Sequence, residues 1–179
     1  MSKIVVEIND QQADVCIASG QIESAVRTVL EGESIETAHL SVALVDDVTI
    51  WKINRDFLGH DYPTDVISFP LSGGPDCGRI PAQPLEGELV ISGETAARGA
   101  VEYGWSAANE LILYVIHGTL HLAGYDDHEE ADRVAMRARE ELYFAQLGRG
   151  RVPRRRLMGP ASTSSPSSSP AYYDGGSSS

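Results

Sequence analysis

The sequence predicts one α+β domain, a four-stranded sheet packed with about five helices. Three observations carry that expectation. Strand-like and helix-like patterns alternate over roughly the first 148 of 179 residues. Hydrophobic residues make up 42% of the chain, enough for one core, and the length suits a single domain. From residue 149 the composition changes to an arginine run and then to Ser, Pro and Gly. We therefore expect the domain at 1–148 and a disordered tail at 149–179, because "VPRRRLMGPASTSSPSSSPAYYDGGSSS" has too little apolar surface to offset its ordering entropy.

Each element has its own signal. "KIVVEI" (3–8) is rich in β-branched residues and opens the chain as a strand. "QIESAVRTVLEGE" (21–33) places Ile22, Ala25, Val26, Val29 and Leu30 on one helical face. "HLSVALVDD" (39–47) is the second strand, and Asp46 or Asp47 caps a helix through "VTIWKINRDF" (48–57). "DVISFP" (65–70) and "GELVIS" (87–92) are strands on either side of the Gly/Pro-rich loop "LSGGPDCGRIPAQPLEG" (71–87). "GETAARGAVEYG" (93–104) is a short helix. "SAANELILYVIHGTLHLAG" (106–124) is the longest apolar helix, with Ser106 as its N-cap and Gly124 as its stop. "EEADRVAMRAREELYFAQLG" (129–148) closes the domain as an amphipathic helix.

Charge and cysteine content narrow the function classes. Net charge is −12, and residues 1–148 carry 9 Lys and Arg against 25 Asp and Glu. Such a body argues against broad electrostatic binding of nucleic acid, but leaves room for a local or metal-centred site. Cys16 and Cys77 form no disulfide framework or cysteine zinc site. "MSKIVVEIND" lacks a signal-peptide pattern, and no run of 18 apolar residues occurs. The expectation is a cytoplasmic protein with no membrane association.

The chemistry concentrates in "HGTLHLAGYDDH" (117–128), at the end of the central helix. His117 and His121 lie four apart, so their side chains stack on one helical face, ~6 Å apart at Cβ. Two imidazoles so placed can share one Zn²⁺, and a ligand for each meets the need of a polar group in an apolar helix. Gly124 suits a left-handed exit that turns the chain back past the pair. Asp127 then stands six residues after His121, at the third-ligand position of the H-x-x-x-H-x-x-G-x-x-(H/D) arrangement seen in metalloproteases. Three protein ligands leave a position for water, as catalytic sites do. A peptidase would also need Glu after the first histidine, and Gly118 stands there, so a protease is excluded.

These residues resemble the YbeY family signature H-G-x-L-H-L-x-G-Y-D-H. "INRDFLGHDYPTDVISFP" (53–70) is similar to that family's Asn-containing helix and P-T-[DN]-V-L-S-F-P strand, "GELVIS" to its G-D-I-x-I-S strand, and "MRAREELYF" (136–144) to its C-terminal helix. The resemblance spans roughly residues 40–147. It implies a single-strand-specific, metal-dependent endoribonuclease acting in 16S ribosomal RNA 3′-end maturation and ribosome quality control. Its cofactor would be one Zn²⁺ ion. Its partners would be single-stranded RNA, 16S rRNA, and the small ribosomal subunit with its proteins.

Two departures bear on the site. The family's third ligand is usually His, and Asp127 holds that position; His128 is the rival if the turn carries one extra residue. Asp126 falls where the family has the aspartate before that ligand, a partner for a metal-bound group or a solvated turn residue. The family also carries an arginine, thought to contact phosphate, where Leu58 stands here. Arg55, one helical turn earlier, is the expected catalytic replacement, with Lys52 and Arg98 behind it. His60, Asp61, Thr64, Asp65 and Ser68 fall at or near the site-lining strand, while Trp51 and Trp105 read as core or rim. In the mechanism so implied, His117, His121 and Asp127 hold the ion, water or the RNA's 2′-hydroxyl attacks, and Arg55 offsets phosphate charge. One alternative is a ribosome-assembly factor with a zinc site and weak or vestigial cleavage. Another is a hydrolase of a small substrate, which would need a closed pocket over the metal.

Overall fold

The computed structural model describes residues 3–72 and 83–153. The elements run β1 (Lys3–Asp10), α1 (Ser19–Gly32), β2 (Thr37–Val45), α2 (Asp47–Leu58), β3 (Val66–Pro70), β4 (Leu85–Ser92), α3 (Gly93–Tyr103), α4 (Ala107–Leu122) and α5 (Glu130–Gln146). The four expected strands and five expected helices are all present. Of the expected tail at 149–179, residues 149–153 are described and packed, with Val152 buried in the large core cluster and Arg149 donating to Asn109 Oδ1 at 2.8 Å; the rest of the tail, most of the Gly/Pro-rich loop and Cys77 lie outside the described residues.

The sheet order is β1-β2-β4-β3. β1, β2 and β4 are parallel, with Ile8 opposite Val42 and Val42 opposite Leu89. β3 is antiparallel at the edge, with Ile67 opposite Val90. Pairing extends the strands beyond their apolar cores: β1 runs to Asp10, opposite Leu44, and β4 starts at Leu85, opposite Ala38. The backbone ladder sets those ends, whatever the polarity of the side chains.

Alternation along the strands gives each sheet face its own core. Leu40, Val42, Leu44, Leu89 and Ile91 join the large cluster with α1, α4 and α5. Val45, Ile67 and Val90 face the other way and pack with Ile50 of α2. The predicted stripe on α1 is buried in full, and α4 is buried nearly all round. No helix of the described residues is long and apolar enough to cross a membrane.

Caps fix where the helices begin. Asp46 accepts from Thr49 N at 2.7 Å and Ser106 from Asn109 N at 3.2 Å. Asp47, the other expected cap of α2, instead accepts from Thr95 Oγ1 at 2.7 Å and from Arg98 Nη1 at 2.6 Å. That network ties the start of α2 to the start of α3.

Candidate metal centre

The central helix brings His117 and His121 to one end of the sheet. α4 ends in a Schellman turn, with Gly124 N bonded to His121 O and Tyr125 N to Leu120 O, each at 3.0 Å. Gly124 has φ 107°, in the left-handed region that an L side chain rarely adopts. This reversal carries Asp127 back over the last turn of the helix. Arg133 holds the returning loop by donating to the carbonyls of Asp127 (3.3 Å) and His128 (2.6 Å).

Three donor atoms converge as a result. His117 Nε2 and His121 Nε2 lie 3.0 Å apart, and each is 3.8 Å from Asp127 Oδ2. A point equidistant from the three is about 2.1 Å from each, matching zinc bonds of ~2.0–2.2 Å to imidazole and carboxylate. The outer nitrogens fix the tautomers. His121 Nδ1–H donates to the Tyr125 carbonyl at 3.0 Å, and His117 Nδ1–H to Glu140 Oε1 at 2.6 Å. Both Nε2 lone pairs therefore face the same point as the carboxylate oxygen, and a cation relieves the repulsion among them. The donor set fits a divalent metal, and these three residues could hold one.

Electrostatics separate the two imidazoles. Burial opposes charge on His117, but the hydrogen bond and charge of Glu140 outweigh it and hold its pKa above the usual value. Burial, and then the neighbouring His117, push His121 below its usual value. Glu140, 8% exposed on α5, is the functional residue that sequence reasoning missed. The signal was there: Glu140 shares the buried stripe of α5 with Met136, Tyr143 and Phe144. A carboxylate on an apolar stripe demands a partner.

Other expected residues fall differently. His128 is exposed and pairs through Nδ1 with Asp126; it lines the same cleft, and Asp126, Asp127 and His128 form a second, more exposed group of donors that could hold an ion. Arg55 is not brought to the cleft; its guanidinium lies 2.8 Å from Asp56 Oδ1 and over the Trp51 ring at 4.7 Å. Arg98 is held by Asp47, and Lys52 is exposed outside the cleft lining. Trp105 packs on Phe144 and donates to Glu110 Oε2 at 2.6 Å, a core role. Trp51 donates to Asp61 Oδ1 at 2.9 Å, a rim role.

The triad lies in an open cleft of about 520 Å³, continued by Leu58, His60, Tyr62, Asp65 and Ser68. Asp65 anchors the start of β3 by accepting from Val66 N at 2.9 Å. Ser68 donates to Gly118 O at 3.2 Å, joining that strand to α4. The cleft opens to solvent, unlike the closed pocket that a small-substrate hydrolase would need.

Comparison with known proteins places the chain among relatives. A model of the endoribonuclease YbeY family matches residues 7–148. The endoribonuclease YbeY of Syntrophotalea carbinolica is 40% identical over 146 residues, covering 80% of this chain and 95% of that protein. That of Desulfitobacterium hafniense is 46% identical over 123 residues, covering 66% and 77%. That of Moorella thermoacetica is 41% identical over 150 residues, covering 79% and 96%. The solution structure of TM1509 from Thermotoga maritima superimposes with a TM-score of 0.55 at 28% identity, covering 80% of this chain and 89% of that one.

Proposed function

The chain belongs to the endoribonuclease YbeY family, and on that premise we propose that it is a zinc-dependent endoribonuclease cutting single-stranded RNA in 16S rRNA 3′-end maturation and ribosome quality control. It acts in the cytoplasm on the small ribosomal subunit. The observation that carries this reading is the convergence of His117 Nε2, His121 Nε2 and Asp127 Oδ2 on one point in an open cleft. The matched relatives are named for the enzyme, which disfavours a pure assembly role.

His117, His121 and Asp127 are the proposed ligands of a single Zn²⁺. When bound, such an ion supplies Lewis acidity toward a phosphodiester oxygen and toward water. Glu140 and the Tyr125 carbonyl hold the two rings so that Nε2 stays the donor atom. Asp127 supplies a negative charge where family members usually have a neutral imidazole, which favours divalent over monovalent occupancy. Arg55 stays outside the described cleft lining, held by Asp56 and Trp51.

Zinc content and cleavage of a single-stranded RNA test the assignment. His121→Ala and Asp127→Ala are expected to lose both, whereas His128→Ala keeps its zinc. Full zinc and full cleavage in His121→Ala would remove the site, and zinc loss in His128→Ala with retention in Asp127→Ala would exchange the third ligand.

A further inference from the structure

The described lining of the cleft is poor in permanent cations. None of its described lining residues is Lys or Arg, and Leu58 occupies the place where the family resemblance expects a guanidinium. Asp65 and Asp127 add negative charge to its walls. An RNA strand held here by its phosphates would meet repulsion from these carboxylates, offset at the metal and at His128, whose charged form Asp126 favours. The cleft does offer an aromatic surface. His60 and Tyr62 lie nearly parallel, with ring centroids 5.5 Å apart and planes 10° apart. Tyr62 is 55% exposed, and both residues line the cleft.

The platform is rigid at its base. Buried Asn54 donates through Nδ2 to Tyr62 O at 2.7 Å, and His60 N bonds to Asn54 O at 3.2 Å. Trp51 holds Asp61 between them at 2.9 Å. Pro63 follows Tyr62 and restricts its backbone to extended conformations. The two rings are therefore presented to solvent by a turn whose backbone is pinned, so little ordering entropy remains when a ligand docks.

We propose that the His60–Tyr62 pair is a base-stacking platform that seats an unpaired RNA base beside the metal centre. This inference rests on the endoribonuclease reading above and names how that site takes its substrate. Neutral base faces stack on aromatic rings without regard to the acidic walls, and a paired base must first give up its pairing and stacking to do so. The platform thus supplies selection for single strands, and binding depends on bases rather than on backbone charge.

The test is equilibrium binding to the zinc-loaded protein of a short 2′-O-methyl single strand carrying 2-aminopurine, verified intact afterwards. An abasic strand of equal charge serves as the comparison. Tyr62→Ala and His60→Ala are each expected to raise Kd roughly 5- to 100-fold, the worth of one lost stacking contact. Tyr62→Phe keeps the ring face and binds within about twofold, which separates lost stacking from lost folding. The abasic strand binds wild type as weakly as the full strand binds Tyr62→Ala. Wild-type Kd in both alanine variants, or equal binding of the abasic strand, would overturn the platform. If wild type fails to cleave RNA yet shows the expected binding pattern, the endoribonuclease reading fails while the stacking surface stands.

Discussion

Glu140 shows how much one side chain on a remote helix decides. Its carboxylate reaches His117 Nδ1 across 23 residues of sequence and sets which ring nitrogen is left to donate. Replacing it by Gln keeps the shape but removes the charge, and an amide can present either an N–H or an oxygen to the ring. Glu140→Gln is therefore expected to weaken zinc affinity about 10- to 100-fold with little loss of folding, read by competition with a chromophoric chelator. An unchanged affinity would mean that His117 is oriented by packing alone. His117, His121 and Asp127 were legible in the sequence because helix periodicity and a glycine turn specify their proximity locally. Glu140 was not, because nothing in the spacing of α5 tells which helix its stripe meets.

The elements meet closely where α4 crosses the sheet. Gly118 sits between the two histidines, and a Cβ there would stand 2.9 Å from Leu89 Cδ2, 3.0 Å from Val66 Cγ2 and 3.1 Å from Ser68 Oγ. The sequence showed only that Gly118 supplies no general base. The structure adds that this position faces β3 and β4, so a side chain there would press on Leu89, Val66 and Ser68. Gly118→Ala is expected to destabilise the fold by about 1–3 kcal/mol through overpacking, despite the better helix propensity of alanine. A thermal melt checks this, and a melting temperature at or above wild type would show that the sheet yields at no cost. Helix caps at Asp46 and Ser106 were readable in advance, since a cap bonds within its own turn. The cap at Ser92 was hidden inside a strand signal.

For the whole molecule the question is how an acidic body handles a polyanion. Residues 1–148 hold 25 acidic against 9 basic residues, and the described cleft lining holds no Lys or Arg. The slope of log Kd against log salt for single-stranded RNA is expected to be about 1 or less. Leu58, 46% exposed on the cleft wall, offers a position to change that. Leu58→Arg is expected to steepen the slope by about 0.7, the increment for one more neutralised phosphate on a single strand, measured by titration at several salt concentrations. An unchanged slope would place the RNA backbone away from residue 58. The sequence by itself determined the element order, the helical histidine pair and the reversal at Gly124, because each depends on contacts within a few residues. Only the tertiary structure decided the β1-β2-β4-β3 order and the contact of Glu140 with His117. Those depend on which faces meet across the core, and one chain's periodicity marks a face without naming its partner.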